Sequence, residues 1–167
     1  MDKIPILILI FNRPKKIEKM IRALKKIKPK NIYIFADGPR DKHLKDIKLC
    51  KNTRNVIKKI NWKCSINKNF KKKNHGVRLG VYTGISWFFK KVNFGIVLED
   101  DCIPHPSFFK YIKLLEKKYS KNKNIGIISG NNFFIKKLKY DYLFTKWPFI
   151  WGWATWRRNW QSFDYKL

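Results

Sequence analysis

Phe94-Gly95-Ile96-Val97-Leu98-Glu99-Asp100-Asp101 is the stretch on which the reading of this chain turns. Its first part is apolar without alternation, the pattern of a strand covered on both faces. Three carboxylates follow at once. In open parallel sheets ligands bind at the carboxyl ends of the strands, so the triplet falls where a site would be. The chain has only 11 acidic residues and a formal net charge of +28. Consecutive carboxylates at a buried strand end repel one another unless a cation lies between them. The expectation is a metal ion that meets a phosphorylated ligand. Oxygen donors with no His or Cys cluster point to Mg²⁺ or Mn²⁺, held by one or two carboxylates plus phosphates.

Working outward, residues 4–11 form a second apolar, β-branched run of strand length. Ile17, Met20, Ile21, Leu24 and Ile27 then recur at helical spacing, with Pro14 in the first turn and Pro29 as the stop. Residues 31–36 read as a strand that runs into the turn Asp37-Gly38-Pro39. A lysine-rich helix is expected over 41–60 and a third strand over 62–67. Val77, Val81, Ile85, Phe88 and Phe89 mark one face of a helix over 76–91. After the triplet, Pro104-His105-Pro106 leads into a helix over 107–119. A strand over 125–129 and a Gly130-Asn131-Asn132 turn follow. Strands alternating with helices through short connections argue for an α/β fold with a largely parallel sheet.

Composition narrows the class. With 167 residues, 44% hydrophobic and 16% aromatic, the chain can bury a core and is not a disordered basic protein. No apolar stretch reaches the roughly 20 residues of a membrane span. The run after Met1-Asp2-Lys3 is short for a signal peptide and lacks a cleavage site, so it reads as a strand. Cys50, Cys64 and Cys102 are odd in number and lack CxxC spacing, which speaks against a disulfide framework and a thiolate zinc site. The expected location is the cytoplasm, with the inner face of the cell membrane as an extension of that reading. Lys and Arg total 39 and are spread along the chain. A solvated face is the first reading of that charge. An anionic membrane surface or acidic glycan is the second, and specific nucleic-acid binding, without a recognisable recognition helix, is the last.

Each strand end carries chemistry: Asn12-Arg13, Asp37-Gly38, Glu99-Asp100-Asp101 and Ser129-Gly130-Asn131. Together they describe one cleft edge with a cation, a carboxylate for a base or ribose, and a metal site. Asp37 is equally readable as a turn former, and Arg13 as a salt-bridge partner rather than a diphosphate contact. His105, between two prolines, reads as structural. His75, beside Gly76 at a helix start, is a weaker nucleotide contact. A metal bridging a diphosphate would neutralise a leaving nucleoside diphosphate, which fits glycosyl transfer from a nucleotide-sugar. Residues 147–156, Trp-Pro-Phe-Ile-Trp-Gly-Trp-Ala-Thr-Trp, read first as core and second as a platform for sugar rings.

Phe11-Asn12-Arg13-Pro14, Ala36-Asp37-Gly38-Pro39-Arg40, Gly84-Ile85-Ser86-Trp87-Phe88-Phe89 and Trp151-Gly152-Trp153-Ala154-Thr155-Trp156 surround the most specific block. That block runs from Gly95 through Cys102 to Pro106-Ser107-Phe108-Phe109. Together these segments resemble bacterial glycosyltransferases of the nucleotide-diphospho-sugar transferase superfamily, among them hemolytic-protein-like sugar transferases. More distantly the chain is similar to N-acetylglucosaminyltransferase I, which carries a Glu-Asp-Asp triplet in a comparable place. The resemblance covers nearly the whole chain and implies a GT-A (Rossmann-like) fold, a mostly parallel sheet flanked by helices. It implies a single domain over 1–167, with a donor- and metal-binding core over 1–130 and the start of an acceptor-side region over 131–167.

The resemblance further implies an inverting, metal-dependent transferase. It would move a sugar from a nucleotide-diphosphate donor, a UDP-sugar, to a glycan or lipid-linked acceptor in surface-polysaccharide biosynthesis. Asp101 would be the metal ligand, with Asp100 near the ribose or donor sugar and Glu99 near the sugar hydroxyls. Asp37 would contact the nucleobase and Arg13 the phosphate or base region, with Asn12 beside it; Asn74 and Arg78 would border the donor pocket. The general base of such enzymes lies in a later segment, past Leu167. Asp164 is a weak substitute that reads better as a surface aspartate. The expectation is the front part of a longer protein, binding donor and metal but transferring sugar poorly alone. A non-catalytic nucleotide-sugar-binding fragment is the alternative, and a basic nucleic-acid-binding protein the more remote one.

Overall fold

The computed structural model describes residues 4–131, 133 and 139–165. Strands β1 (Ile6–Ile10), β2 (Asn31–Ala36), β3 (Ser65–Phe70), β4 (Phe94–Glu99), β5 (Ile127–Ser129) and β6 (Trp153–Trp156) form one sheet in the order β3-β2-β1-β4-β6-β5. β1, β2, β3 and β4 pair in parallel. β6 runs antiparallel to both β4 and β5. The mostly parallel α/β sheet expected from the sequence is what the chain builds.

Helices α1 (Pro14–Lys25), α2 (Leu44–Val56), α3 (Gly76–Phe89) and α4 (Pro106–Tyr119) connect successive strands, and the short α5 (Arg157–Gln161) follows β6. All five residues of β1 are buried, and they divide between two cores. Ile6, Ile8 and Ile10 pack with Ile17, Met20, Ile21 and Leu24 of α1 and with Phe109, Ile112 and Leu115 of α4. Leu7 and Leu9 pack on the opposite face with Ile85, Phe88 and Phe89 of α3. The period-2 alternation of a strand sends successive side chains to opposite faces, so a strand covered on both sides must be apolar throughout.

Several elements depart from the expected bounds, β1 among them, which spans Ile6–Ile10 within the expected 4–11. β3 starts at Ser65 rather than at residue 62, because the Trp62 indole N–H donates to the Pro29 carbonyl at 3.0 Å and packs beside the core instead of joining the sheet. The lysine-rich helix starts at Leu44, and a 3-10 turn, Ile57–Lys59, follows it. β5 begins at Ile127. The sequence reading assigned no strand to residues 153–156, yet β6 completes the sheet there. Trp153 enters the α3-side core and Trp156 the α1-side core, as alternation requires. Gly152, at φ +78°, supplies the left-handed residue that turns the chain into β6. The part of the aromatic segment read as core is therefore Trp153 and Trp156, while Trp147 and Trp151 are exposed. Asn132 of the expected turn lies outside the described residues.

Candidate functional site

The carboxyl ends of β1, β2 and β4 lie side by side in the sheet. Arg13 follows β1 and reaches the residues after β4. Its guanidinium donates to Asp100 Oδ1 at 2.9 Å and to Asp101 Oδ2 at 3.1 Å. Lys16, one helical turn on in α1, approaches the same Asp101 oxygen at 3.4 Å. The acidic pair is therefore compensated by two cations of this chain.

Burial decides how Asp100 and Glu99 titrate. Asp100 is buried and its pKa is raised by that burial, with Asp101 adding repulsion and Arg13 opposing it. The ion pair does not win because half of the Arg13 side chain faces solvent, where its charge is screened. Glu99 is also raised, by burial first and then by its neighbours Asp101 and Asp100. Asp101 is the exposed member of the triplet, with 42% of its side chain accessible. It lines a cavity of about 1350 Å³ together with Phe108, Tyr111, Ser129 and Trp151.

At the end of β2 the Asp37 carboxylate is buried and accepts from the backbone N–H groups of Gly38 at 2.9 Å and His75 at 3.0 Å. Asn74 donates to its other oxygen at 3.1 Å and to the Gly38 carbonyl at 2.9 Å. Asp37 thus ties the loop after β2 to the N-terminus of α3, where a carboxylate is favoured by the helix dipole. Gly80 makes the approach possible: a Cβ there would meet Asp37 Oδ2 at 3.1 Å. The structure joins Asp37 to Asn74 as one unit and Arg13 to Asp100 and Asp101 as another.

Other expected site residues are engaged elsewhere. The Asn12 amide donates to Asp46 Oδ1 at 2.8 Å. Arg78 donates to the Tyr165 carbonyl at 2.8 Å and stacks on that ring. Asp164 lines a separate cavity of about 480 Å³ with Arg78, Tyr82 and Trp160, away from the one beside Asp101. His105 caps α4, its ring nitrogen accepting from the Ser107 N–H at 3.3 Å. The His75 contact is made by its backbone N–H.

Sequence reasoning missed Asp46, Arg40 and Arg54. Arg40 Nε meets Asp46 Oδ2 at 2.6 Å, and this bond holds the Asp46 carboxyl well below the usual range despite its burial. Arg54 donates to the carbonyls of Asp37 and Lys71 at 2.9 and 2.7 Å. These residues fix the loops around Asp37 from behind. The lone acid of a lysine-rich helix was a usable signal for Asp46.

A resident metal needs donors, and among the described residues no group of three or more His, Cys, Asp or Glu side chains converges. The available set is one exposed carboxylate, Asp101, with a buried neighbour, Asp100, and a half-buried one, Glu99. That set fits Mg²⁺ or Mn²⁺ arriving with substrate phosphates, which complete the coordination, and does not fit an ion held by protein alone.

No known protein family matches the sequence, and no curated protein matches it. Solved structures do match. A cytidylyltransferase from Leptospira borgpetersenii superposes with a TM-score of 0.57 at 11% identity, over 96% of this chain and 63% of that one. The 4-diphosphocytidyl-2C-methyl-D-erythritol synthase from Anaerococcus prevotii gives 0.53 at 12% identity, over 94% and 72%. A mannosyltransferase from Pyrobaculum calidifontis, solved with GDP-Man and Mn²⁺, gives 0.47 at 9% identity, over 76% and 34%. The chain thus spans less than two thirds of the first structure's length. The first two likenesses establish the class of fold, the Rossmann-like α/β architecture also found in nucleotidyltransferases.

Proposed function

We propose that this chain is the donor-binding domain of a metal-dependent glycosyltransferase that takes sugar from a nucleotide-diphosphate donor, a UDP-sugar. The acceptor would be a glycan or lipid-linked glycan of a surface polysaccharide. One observation carries the reading: Arg13 after β1 and Asp100-Asp101 after β4 converge within hydrogen-bond reach at the carboxyl edge, beside an open cavity. That edge is where α/β sheets bind nucleotides.

In this reading Asp37 and Asn74 border the nucleobase, their geometry locked by the Gly38 and His75 N–H groups. Asp101, with the donor's phosphates, would hold Mg²⁺ or Mn²⁺. The metal, when bound, stabilises charge on the departing nucleoside diphosphate. Arg13 and Lys16, which pair with Asp100 and Asp101, would lie within reach of the donor's phosphate oxygens. Glu99 and Asp100 face the donor sugar and ribose. A base for the acceptor hydroxyl is not assigned among these residues.

Calorimetry with UDP, in the presence and absence of Mn²⁺, tests the reading. UDP should bind at least about tenfold more tightly with Mn²⁺, and Asp101→Ala should remove that gain. Mn²⁺ without nucleotide should bind weakly, because no protein-only site exists among the described residues. Equal UDP binding with and without metal, or a metal effect that survives Asp101→Ala, overturns it. CTP is the control for cytidylyl transfer, the activity named for the Leptospira structure.

A further inference from the structure

Residues 143–151, Leu-Phe-Thr-Lys-Trp-Pro-Phe-Ile-Trp, form a surface strap with one charged side chain, Lys146, and no carboxylate. Its apolar side chains face solvent: Trp147 is 80% accessible, Phe144 69%, Trp151 59% and Ile150 51%. The strap is nevertheless anchored. At its start Tyr142 bonds to Tyr119 and Lys118, each at 2.6 Å. Within it the Thr145 hydroxyl accepts from the Trp147 N–H at 3.0 Å. The Ser129 hydroxyl donates to the Phe149 carbonyl at 2.6 Å, and the strap ends where Gly152 enters β6. Phe144 touches Tyr119 and Tyr142, and Phe133 touches Phe149 and Trp151, yet Phe133, Phe144 and Trp151 stay largely open to solvent, an exposed apolar surface rather than a collapsed core.

We propose that this strap docks the protein on an anionic lipid bilayer, with Trp147, Ile150 and Trp151 entering the interface and Lys146 of the strap, with Lys118 at its start, meeting the headgroups. Exposed Trp with Lys is the chemistry of a membrane interface, where amphipathic rings sit at headgroup level. Apolar insertion and attraction of basic residues to anionic lipid reinforce each other. Charge complementarity selects the occupant. A second copy of this chain brings another +28 and is repelled. A single-stranded nucleic acid could stack on the rings, but it needs a track of cations. The strap instead offers Leu143, Pro148 and Ile150 and a single lysine.

Vesicle binding is read without donor or metal, so it stands or falls apart from sugar transfer. On the transfer reading the docking has a further result. The strap lines the cavity beside Asp101 through Phe144, Trp147 and Trp151, so that cavity would open among lipid headgroups and receive a lipid-linked acceptor.

The test uses the full chain with phosphatidylcholine vesicles, with and without phosphatidylglycerol, followed by sedimentation and by tryptophan quenching with bromine-labelled acyl chains. Binding should require phosphatidylglycerol, weaken with salt and be accompanied by quenching. The double variant Trp147→Ser/Ile150→Ser, both positions exposed, should keep its circular dichroism yet bind about tenfold less tightly and lose quenching. No binding to the anionic vesicles overturns the proposal, as does binding unchanged in the double variant, which would assign it to dispersed lysines alone. Strap-dependent dimerisation, or strap-dependent binding of a single-stranded oligonucleotide in place of vesicles, overturns it too.

Discussion

Glu99 and Asp46 are both carboxylates near the carboxyl edge of the sheet, yet their environments move them in opposite directions. Burial, then Asp101 and Asp100, raise Glu99. Its protonated form suits the folded protein better, so its stabilising contribution is present below the ordinary carboxylate range and is lost as pH rises through the raised value. Glu99→Gln should therefore raise the thermal midpoint at neutral pH and change little in mild acid. Asp46 is lowered, by Arg40 first, with burial opposing. Its contribution is present above the ordinary range and is lost as pH falls towards its depressed value. Asp46→Asn should lower the midpoint at neutral pH, with the deficit fading only in strong acid. Thermal melts of the two variants across the pH range read both signs, and parallel behaviour of the two would refute the assignment.

Among the elements, α3 is placed by what it lacks. A Cβ on Gly84 would meet Leu9 Cδ2 at 2.7 Å and Phe35 Cγ at 2.9 Å, both side chains of the sheet. Gly84→Ala should cost about 1–3 kcal/mol in denaturant unfolding, as an overpacked core site does. Asp37→Ala, which leaves the Gly38 and His75 N–H groups unpaired, should cost about 2 kcal/mol. Gly80 and Gly84 stand one helical turn apart, so this close approach was written in the sequence although apolar spacing alone did not disclose it. β1, β2 and β4 were legible because strands buried on both faces are continuously apolar. β3 was misplaced by three residues because its sequence, Ser-Ile-Asn-Lys-Asn-Phe, is that of a half-exposed edge strand, and the neighbouring Trp62 drew the reading. β6 was missed because its four residues sit inside an aromatic run whose partners, β4 and β5, lie far back in the chain. Arg13 and the triplet were legible from their places at strand ends. The Asn12–Asp46 pair was not, since 34 residues separate its members and no local period connects them.

For the whole molecule, a charge of +28 on 167 residues means that the folded state holds together against its own repulsion. Raising salt from a few millimolar to about 0.1 M, where the Debye length falls to roughly 10 Å, should raise the melting temperature. A chain stabilised chiefly by its surface ion pairs would show the reverse. The late strand has a consequence for how the chain is made. A ribosome delivers β4 and β5 before β6, yet β6 is the strand that lies between them. Until residues 153–156 emerge, one edge of β4 has no partner and β5 has no neighbour in the sheet at all. An unpaired apolar edge is a template for pairing with other nascent chains. From the delivery of β5 until residues 153–156 emerge, the sheet should therefore stay in two pieces, joined only when the Trp-Ala-Thr-Trp segment slides in. A chain stopped at Gly152 should scatter light and sediment as aggregate, whereas one that ends after Gln161 should not.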